Sequence, residues 1–550
     1  MYQCIKKSME VGINHFETAR GYGCSELQYG LNLKRCMDEG LFKREDFVLQ
    51  TKVSPMPTKE KFAEMMKKSV DTLDLEGNGL GHIDLFAFHG INSEKKLKQV
   101  LEGGCMEVIR EYQKEGKIKW VGFSTHGMEP LITKACATGQ FDYVNLHHQF
   151  IGSFTASGTG CTGGTYPSIE AARAQDMGVF IISATDKGGC LYKAPVKFQD
   201  ACAPLSAIEF NNLWLLNKKD EKGEHTIHTL VIGTARPSDF DEHMKSVAKL
   251  EQAPELVPPI ETKLRGMYEE VNGKDWTEQW WKGLPDPFGN VDGEGELVNV
   301  PQNPHVIHYG VIAWLTSICK AWDFQEFSRQ RYGMLVGNGK KLDEVTAEGK
   351  TSEEYVLNIM GDFGPGCDPR QLEASVIAAS IEGSPIKEKV LEYLEWAKAN
   401  LHPDTETEMP PTIPDMRPDI CWPDRPKPKA DDFDWSGYIA GKHKLLCGLI
   451  GASEEAGAVD EAALGSFLAE GATVTIEGVE GGLAGFVAGG NIDLSIESDG
   501  VKGKDTLEES GKFSHAHKDL RSQTKKGTFT AKWVKGAADF SLSEAAFKYD

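Results

Sequence analysis

Several things are scarce in this sequence. No apolar run approaches about 18 residues, so nothing in it reads as a membrane-crossing helix. Positive charge is in deficit: 60 Lys and Arg stand against 82 Asp and Glu, a net charge of −22 with a pI near 5.2. A broadly negative field repels phosphate, so neither nucleic acid nor an anionic membrane is an expected partner. The 12 cysteines contain no CxxC pair. That scatter fits a reducing compartment, with the cytosol first and the plastid as alternative, better than a disulfide framework or a zinc or iron–sulfur site. Met1 to Val11 reads as an amphipathic helix feeding an apolar run at Ile13, so a helix precedes any strand.

At 550 residues the chain exceeds one core, and two or three domains are expected. The stretch that organises the first of them is Gly12 to Gly30, GINHFETARGYGCSELQYG. A short apolar run ends at Glu17, and Tyr22 follows between two glycines. Two further runs behave alike: FVLQTK stops at Lys52 and IDLFAFH at His89. Short strands that each end in a reactive side chain are how a parallel β/α barrel builds a site on its C-terminal face.

Between Ile13 and about Val247 the alternation of strands and amphipathic helices continues. KWVGFS ends at Ser124, YVNL covers Tyr143 to Leu146, VFIIS ends at Ser183 and TLVIG ends at Gly233. Helices are expected at Ser25 to Glu39, Thr58 to Leu73, Lys98 to Lys114, near Leu131 and at Ile169 to Gln175. The count gives seven strands where a closed barrel needs eight.

Glu17-Thr18-Ala19, Tyr22-Gly23, Ser25-Glu26, Thr51-Lys52 and His89-Gly90, in that order and spacing, resemble the aldo-keto reductase superfamily. Glu17 stands where most of that family has Asp. The resemblance implies a TIM (β/α)8-type barrel that lacks its first strand and the glycine-rich turn after it. It also implies an NADPH-dependent oxidoreductase, with NADH as the alternative cofactor, that reduces an aldehyde or ketone. Tyr22 would be the proton donor, Lys52 the cation beside it, Glu17 the partner of Lys52, and His89 the group that orients the carbonyl oxygen. Ser124, Thr125 and Asn145 would hold the nicotinamide carboxamide. Lys187 would approach the pyrophosphate, and Gly233, Thr234, Arg236, Glu242 and His243 the adenosine end. Arg236 is the cation that would favour NADPH. Ala184 takes the place of the family's stacking aromatic, and Cys24 and Cys36 are given no role. The rival is a catalytically silent nucleotide-binding or regulatory barrel whose last domain binds a protein or ligand partner.

The barrel is expected over residues 1–250 and a helical extension over 251–401, its tryptophans packing it onto the barrel. This part resembles the extension of a subgroup of the same family, some members of which carry a ferredoxin-like cluster. Only Cys319 and Cys367 fall here, with Cys421 beyond it in the proline-rich stretch, all far apart, so no iron–sulfur centre is expected. Eight prolines between His402 and Ala430 suggest a semi-rigid linker over 402–433. Alternating apolar and polar residues with Gly, Asn and Asp turns predict a small β-rich domain over 434–550. His515 and His517 there read as a solvated loop rather than metal ligands. The loop from Gly152 to Tyr166 is rich in small residues.

Overall fold

The structure is a computed structural model. It describes residues 1–152, 163–185, 189–234, 236–274, 290–291, 297–298, 309–347, 378, 381–382, 384 and 386–417, with the strands 473–480, 491–498, 501–508, 526–535 and 540–549.

Seven strands lie in one parallel sheet in sequence order: β1 His15–Glu17, β2 Val48–Val53, β3 Ile83–Phe88, β4 Ile118–Ser124, β5 Tyr143–Leu146, β6 Gly178–Ile182 and β7 Thr229–Val231. β3, IDLFAF, is apolar but for Asp84, and β2, VLQTKV, is buried at every position but its first, the pattern of strands covered on both faces. Helices cover the outer face, and three of them start at a side-chain cap, Thr58, Ser93 or Ser206. Thr58 caps the helix Lys59–Leu73 by accepting the Lys61 N–H, and Ser206 with Glu209 forms a capping box on Ala207–Leu216. Phe62, Phe86, Phe88, Phe123 and Phe141 form a connected ring cluster between sheet and helices. Each such side chain contributes about 1.5–3 kcal/mol by leaving water.

The sheet curls into a nearly closed barrel. Gln50 on β2 donates to Asn145 Oδ1 on β5 at 3.0 Å, and the His15 ring of β1 lies 5.5 Å from the Phe180 ring of β6. In a flat sheet, strands three places apart would be separated by roughly 14 Å. Among the described residues no strand pairs with the outer edge of β1 or of β7, and the three β7 residues are only half-buried. The helix Tyr2–Glu10 lies from the helix after β1 to the turn after β7. Arg35 sits 4.1 Å over the Tyr2 ring, while Cys4 reaches Thr234 and Asp239.

Two details depart from the sequence expectation. The helix expected over Lys98 to Lys114 is two helices, Glu94–Leu101 and Cys105–Lys114, broken at Gly104 with φ +87°. Between β6 and β7 the helices Val196–Cys202 and Ala207–Leu216 were not foreseen. The second is buried nearly all round, which erases the one-sided pattern that betrays a surface helix.

Past the barrel, helices Ala253–Asn272, Tyr309–Trp322, Gln325–Ala347 and Lys387–Asn400 form the extension. Trp314 donates its indole N–H to the Ile151 carbonyl at 2.6 Å, and Trp322 packs on Phe150 and Phe198 of the barrel. Trp276, Trp280, Trp281, Cys367, Cys421, His515 and His517 lie outside the described residues. The proline-rich stretch is anchored over its first half: Val196 N–H donates to Pro411, Ile413 to Ala194 and Met416 to Tyr192, at 2.9–3.0 Å. The strands 501–508, 491–498, 473–480, 526–535 and 540–549 form a five-stranded antiparallel sheet in that order.

Candidate active site

β1, β2 and β3 deliver Glu17, Lys52 and His89 at or just past their C-terminal ends, and the loop after β1 swings Tyr22 over them. Gly23, at φ +58°, takes a left-handed turn there that a side chain would resist. The Lys52 side chain is buried, 1% exposed, so its charge needs partners. It has two: the Glu17 carboxylate in direct contact, and the Thr18 carbonyl at 3.0 Å. The glutamate's extra methylene has not cost the ion pair. The ammonium lies 4.8 Å from the centre of the Tyr22 ring, and the His89 ring meets that ring edge-on at 5.5 Å and 87°. The four side chains named from the sequence thus come together.

The next layer holds them. Ser124 Oγ accepts the Gly90 N–H at 3.2 Å, and Thr125 Oγ1 donates to the Ile91 carbonyl at 2.7 Å while accepting the Gly127 N–H at 2.9 Å. Both hydroxyls therefore fix the turn that carries His89, and the one proton of the Thr125 hydroxyl is committed there. Asn145 differs. Its oxygen accepts from Gln50, but its buried Nδ2 has no hydrogen-bond partner. A buried amide donor left over inside a barrel is suited to a ligand's carbonyl.

The residues assigned to the adenosine end are more committed. Arg236 is paired with Asp239 at 3.0 Å, and Glu242 with Lys245. His243 is buried, bonded to the Tyr192 hydroxyl at 2.7 Å and to the Asn212 amide at 3.1 Å. Burial and the Arg417 guanidinium push its pKa down to about 4. That arginine arrives on the anchored proline-rich stretch and lies 3.5 Å over the Tyr192 ring. Gly233 is exposed and Thr234 is half-buried beside Cys4. Ala184 is buried, its carbonyl accepting from Asn211. Lys187 and residues 153–162 of the small-residue loop lie outside the described residues.

The sequence reading missed the histidines after β4 and β5. His126 and His147, both buried, place their rings 4.5 Å apart, and His148 stacks on Trp214 at 5.2 Å. Burial drives the His148 pKa well below its usual range. The signal available was a His-His doublet directly after the YVNL strand. Among the described residues no three His, Cys, Asp or Glu side chains are grouped to hold a metal, and no helix is long and apolar enough to cross a membrane.

Residues 1–147 match the model of the aldo/keto reductase family. No curated protein matches the chain. Among solved structures it is similar to a Pseudomonas aeruginosa protein described as an aldo-keto reductase, at 18% identity and a TM-score of 0.34, over 46% of this chain and 80% of that one. A Bombyx mori aldo-keto reductase in complex with NADP is similar at 15% identity and a TM-score of 0.33, over 46% of this chain and 82% of that one. An aldose reductase from Schistosoma japonicum is similar at 14% identity and a TM-score of 0.33, over the same 46% and 82%. The reaction class that accompanies the family match is oxidoreduction. The stretch that matches the aldo/keto reductase family model, residues 1–147, is the one that holds Glu17, Tyr22, Lys52 and His89.

Proposed function

We propose that the chain reduces an aldehyde or ketone with NADPH, Tyr22 giving the proton to the carbonyl oxygen. The observation that carries this reading is the Lys52 ammonium 4.8 Å from the Tyr22 ring, with Glu17 beside it and His89 edge-on to the same ring. An ordinary phenol, with a pKa near 10, releases its proton reluctantly at neutral pH. A cation beside a phenol favours the phenolate and so eases transfer, and Glu17 and the Thr18 carbonyl keep the cation in place. In this reading His89, edge-on to the Tyr22 ring, donates to the same oxygen and orients it.

NADPH, when bound, supplies the hydride. The nicotinamide end fits what is present: Asn145 has an amide donor to spare, and Ser124 and Thr125 hold the adjoining turn. At the other end Gly233, Thr234, Arg236, Glu242 and His243, with Lys187, are the proposed contacts. Arg236 would have to share its charge between Asp239 and a phosphate. Binding of NADH in place of NADPH follows if that sharing fails.

The engaged His243 and the paired Arg236 also favour a second reading, a barrel that binds nucleotide weakly or a partner instead, without turnover. A fluorescence titration with NADPH and then NADH, followed by a screen of aldehydes and ketones with Tyr22→Phe as control, separates the two. The enzyme reading expects micromolar NADPH binding and loss of most turnover in Tyr22→Phe at unchanged cofactor affinity. Full turnover in that variant would remove Tyr22 from its role.

A further inference from the structure

Glu26 is completely buried, yet the chemistry above makes no use of it. It opens the helix Ser25–Asp38, four residues past Tyr22. Its Oε2 accepts from the Arg20 guanidinium at 3.2 Å, and its Oε1 accepts the hydroxyls of Thr51, at 2.7 Å, and Ser69. Thr51 is the residue before Lys52. Arg20, two residues before Tyr22, donates its backbone N–H to the Lys52 carbonyl at 2.8 Å. The loop between them is tied internally as well. Thr18 Oγ1 donates to Ser25 Oγ at 2.7 Å, Tyr22 N–H bonds the Ala19 carbonyl at 2.9 Å, and Ser25 N–H bonds the Tyr22 carbonyl at 3.1 Å.

These contacts place one carboxylate at the meeting point of three elements. Through Arg20 it holds the stem that enters the Tyr22 loop, through its own helix the stem that leaves it, and through Thr51 the strand that carries Lys52. We infer that Glu26 and Arg20 are positioning residues that set the distance between the Tyr22 phenol and the Lys52 ammonium, by clamping the two stems of the loop to β2. The inference rests on Tyr22 and Lys52 acting as proposed above.

The physical case is one of alternatives. A buried carboxylate costs several kcal/mol unless it is paired and fully hydrogen-bonded, and a purely structural solution would place an apolar residue there. Three donors converge on Glu26 instead, and two of them come from residues within two positions of Tyr22 or Lys52. Glycines on both sides of Tyr22 leave its loop little stiffness of its own. Its internal bonds tie the loop to itself, and holding it against β2 falls to the stems. A shift of about 1 Å in a reacting group lowers a rate by up to about a hundredfold, so a slack clamp registers in turnover before it registers in binding.

Arg20→Met is the first variant, because the Arg20 side chain is partly exposed; it leaves Glu26 buried with two hydroxyl donors and no cation, so Arg20→Met combined with Glu26→Gln, which removes the stranded charge, is read beside it. Arg20→Lys and Glu26→Gln accompany it. Hydrogen exchange of peptides spanning residues 18–25 is read first, since it needs no substrate. The clamp expects about tenfold faster exchange there in Arg20→Met, with the rest of the barrel unchanged and Arg20→Lys in between. Turnover should fall about tenfold with the NADPH Kd within twofold of the parent, and Arg20→Lys should recover part of it. Unchanged exchange over 18–25 would overturn the inference whatever the activity. So would looser exchange with full turnover in Arg20→Met while Tyr22→Phe is inactive. If Tyr22→Phe itself retains full turnover, the reading of Tyr22 as proton donor fails, and a positioning role for the clamp falls with it.

Discussion

Removing the Lys52 charge and removing its partner should have opposite signatures. In Lys52→Met the ammonium 4.8 Å from the Tyr22 ring disappears, while Glu17, less deeply buried, can turn toward water. A unit charge at that distance, at an effective dielectric near 20, is worth about 3 kcal/mol to a neighbouring phenolate, or on the order of a hundredfold in the proton-transfer step. Stability should hold, since methionine fills the lysine stem's volume and one buried charge is gone. In Glu17→Gln the cation stays, 1% exposed, with the Thr18 carbonyl and a neutral amide in place of a carboxylate. Stranding a buried charge costs about 3 kcal/mol of folding free energy. Urea unfolding read by tryptophan fluorescence gives the stability of each variant. Single-turnover oxidation of bound NADPH by an aldehyde gives the chemical step. The reasoning is refuted if Lys52→Met reacts within threefold of the parent, or if Glu17→Gln is as stable as the parent.

Acid should weaken the fold through His243. With its folded pKa held down to about 4 against an unfolded value near 6.5, the unfolded chain takes up a proton first, so stability is full above about pH 6.5 and declines as pH falls toward 4. The loss attributable to this one group is about 3 kcal/mol. Urea midpoints at pH 7 and pH 4.5 should differ, and His243→Asn should flatten the difference; an equal slope in the variant would assign the acid sensitivity elsewhere. Gly122→Ala tests packing in β4, because a Cβ there would lie 2.5 Å from the Tyr143 carbonyl oxygen and 2.6 Å from its ring. A loss of about 2 kcal/mol is expected in urea unfolding, and a neutral variant would mean that β4 and β5 can spread apart.

The strand-end pattern was legible because it is local. The first three barrel strands are short runs that each stop at or beside a polar side chain, so Glu17, Lys52 and His89 stand out in order along the chain. The same locality explains the seven strands counted from the sequence and found in the sheet. It also explains the misreadings. Two glycines split one expected helix, and the helix Ala207–Leu216, buried nearly all round, shows no amphipathic stripe to read.

What the sequence determined by itself was the order of the seven strands and the succession of Glu17, Lys52 and His89 at strand ends with Tyr22 in the loop after the first, since both are written in neighbouring residues. Only the tertiary structure decided which partners those side chains have. Thr125 spends its hydroxyl on the turn after β3, and Asn145 meets Gln50 across the barrel. Arg417 reaches Tyr192 from more than 200 positions further along the chain, and Glu26 joins Arg20, Thr51 and Ser69. Such contacts depend on how a curled sheet brings distant strand ends and loops to one rim, and neither residue spacing nor composition records that curvature.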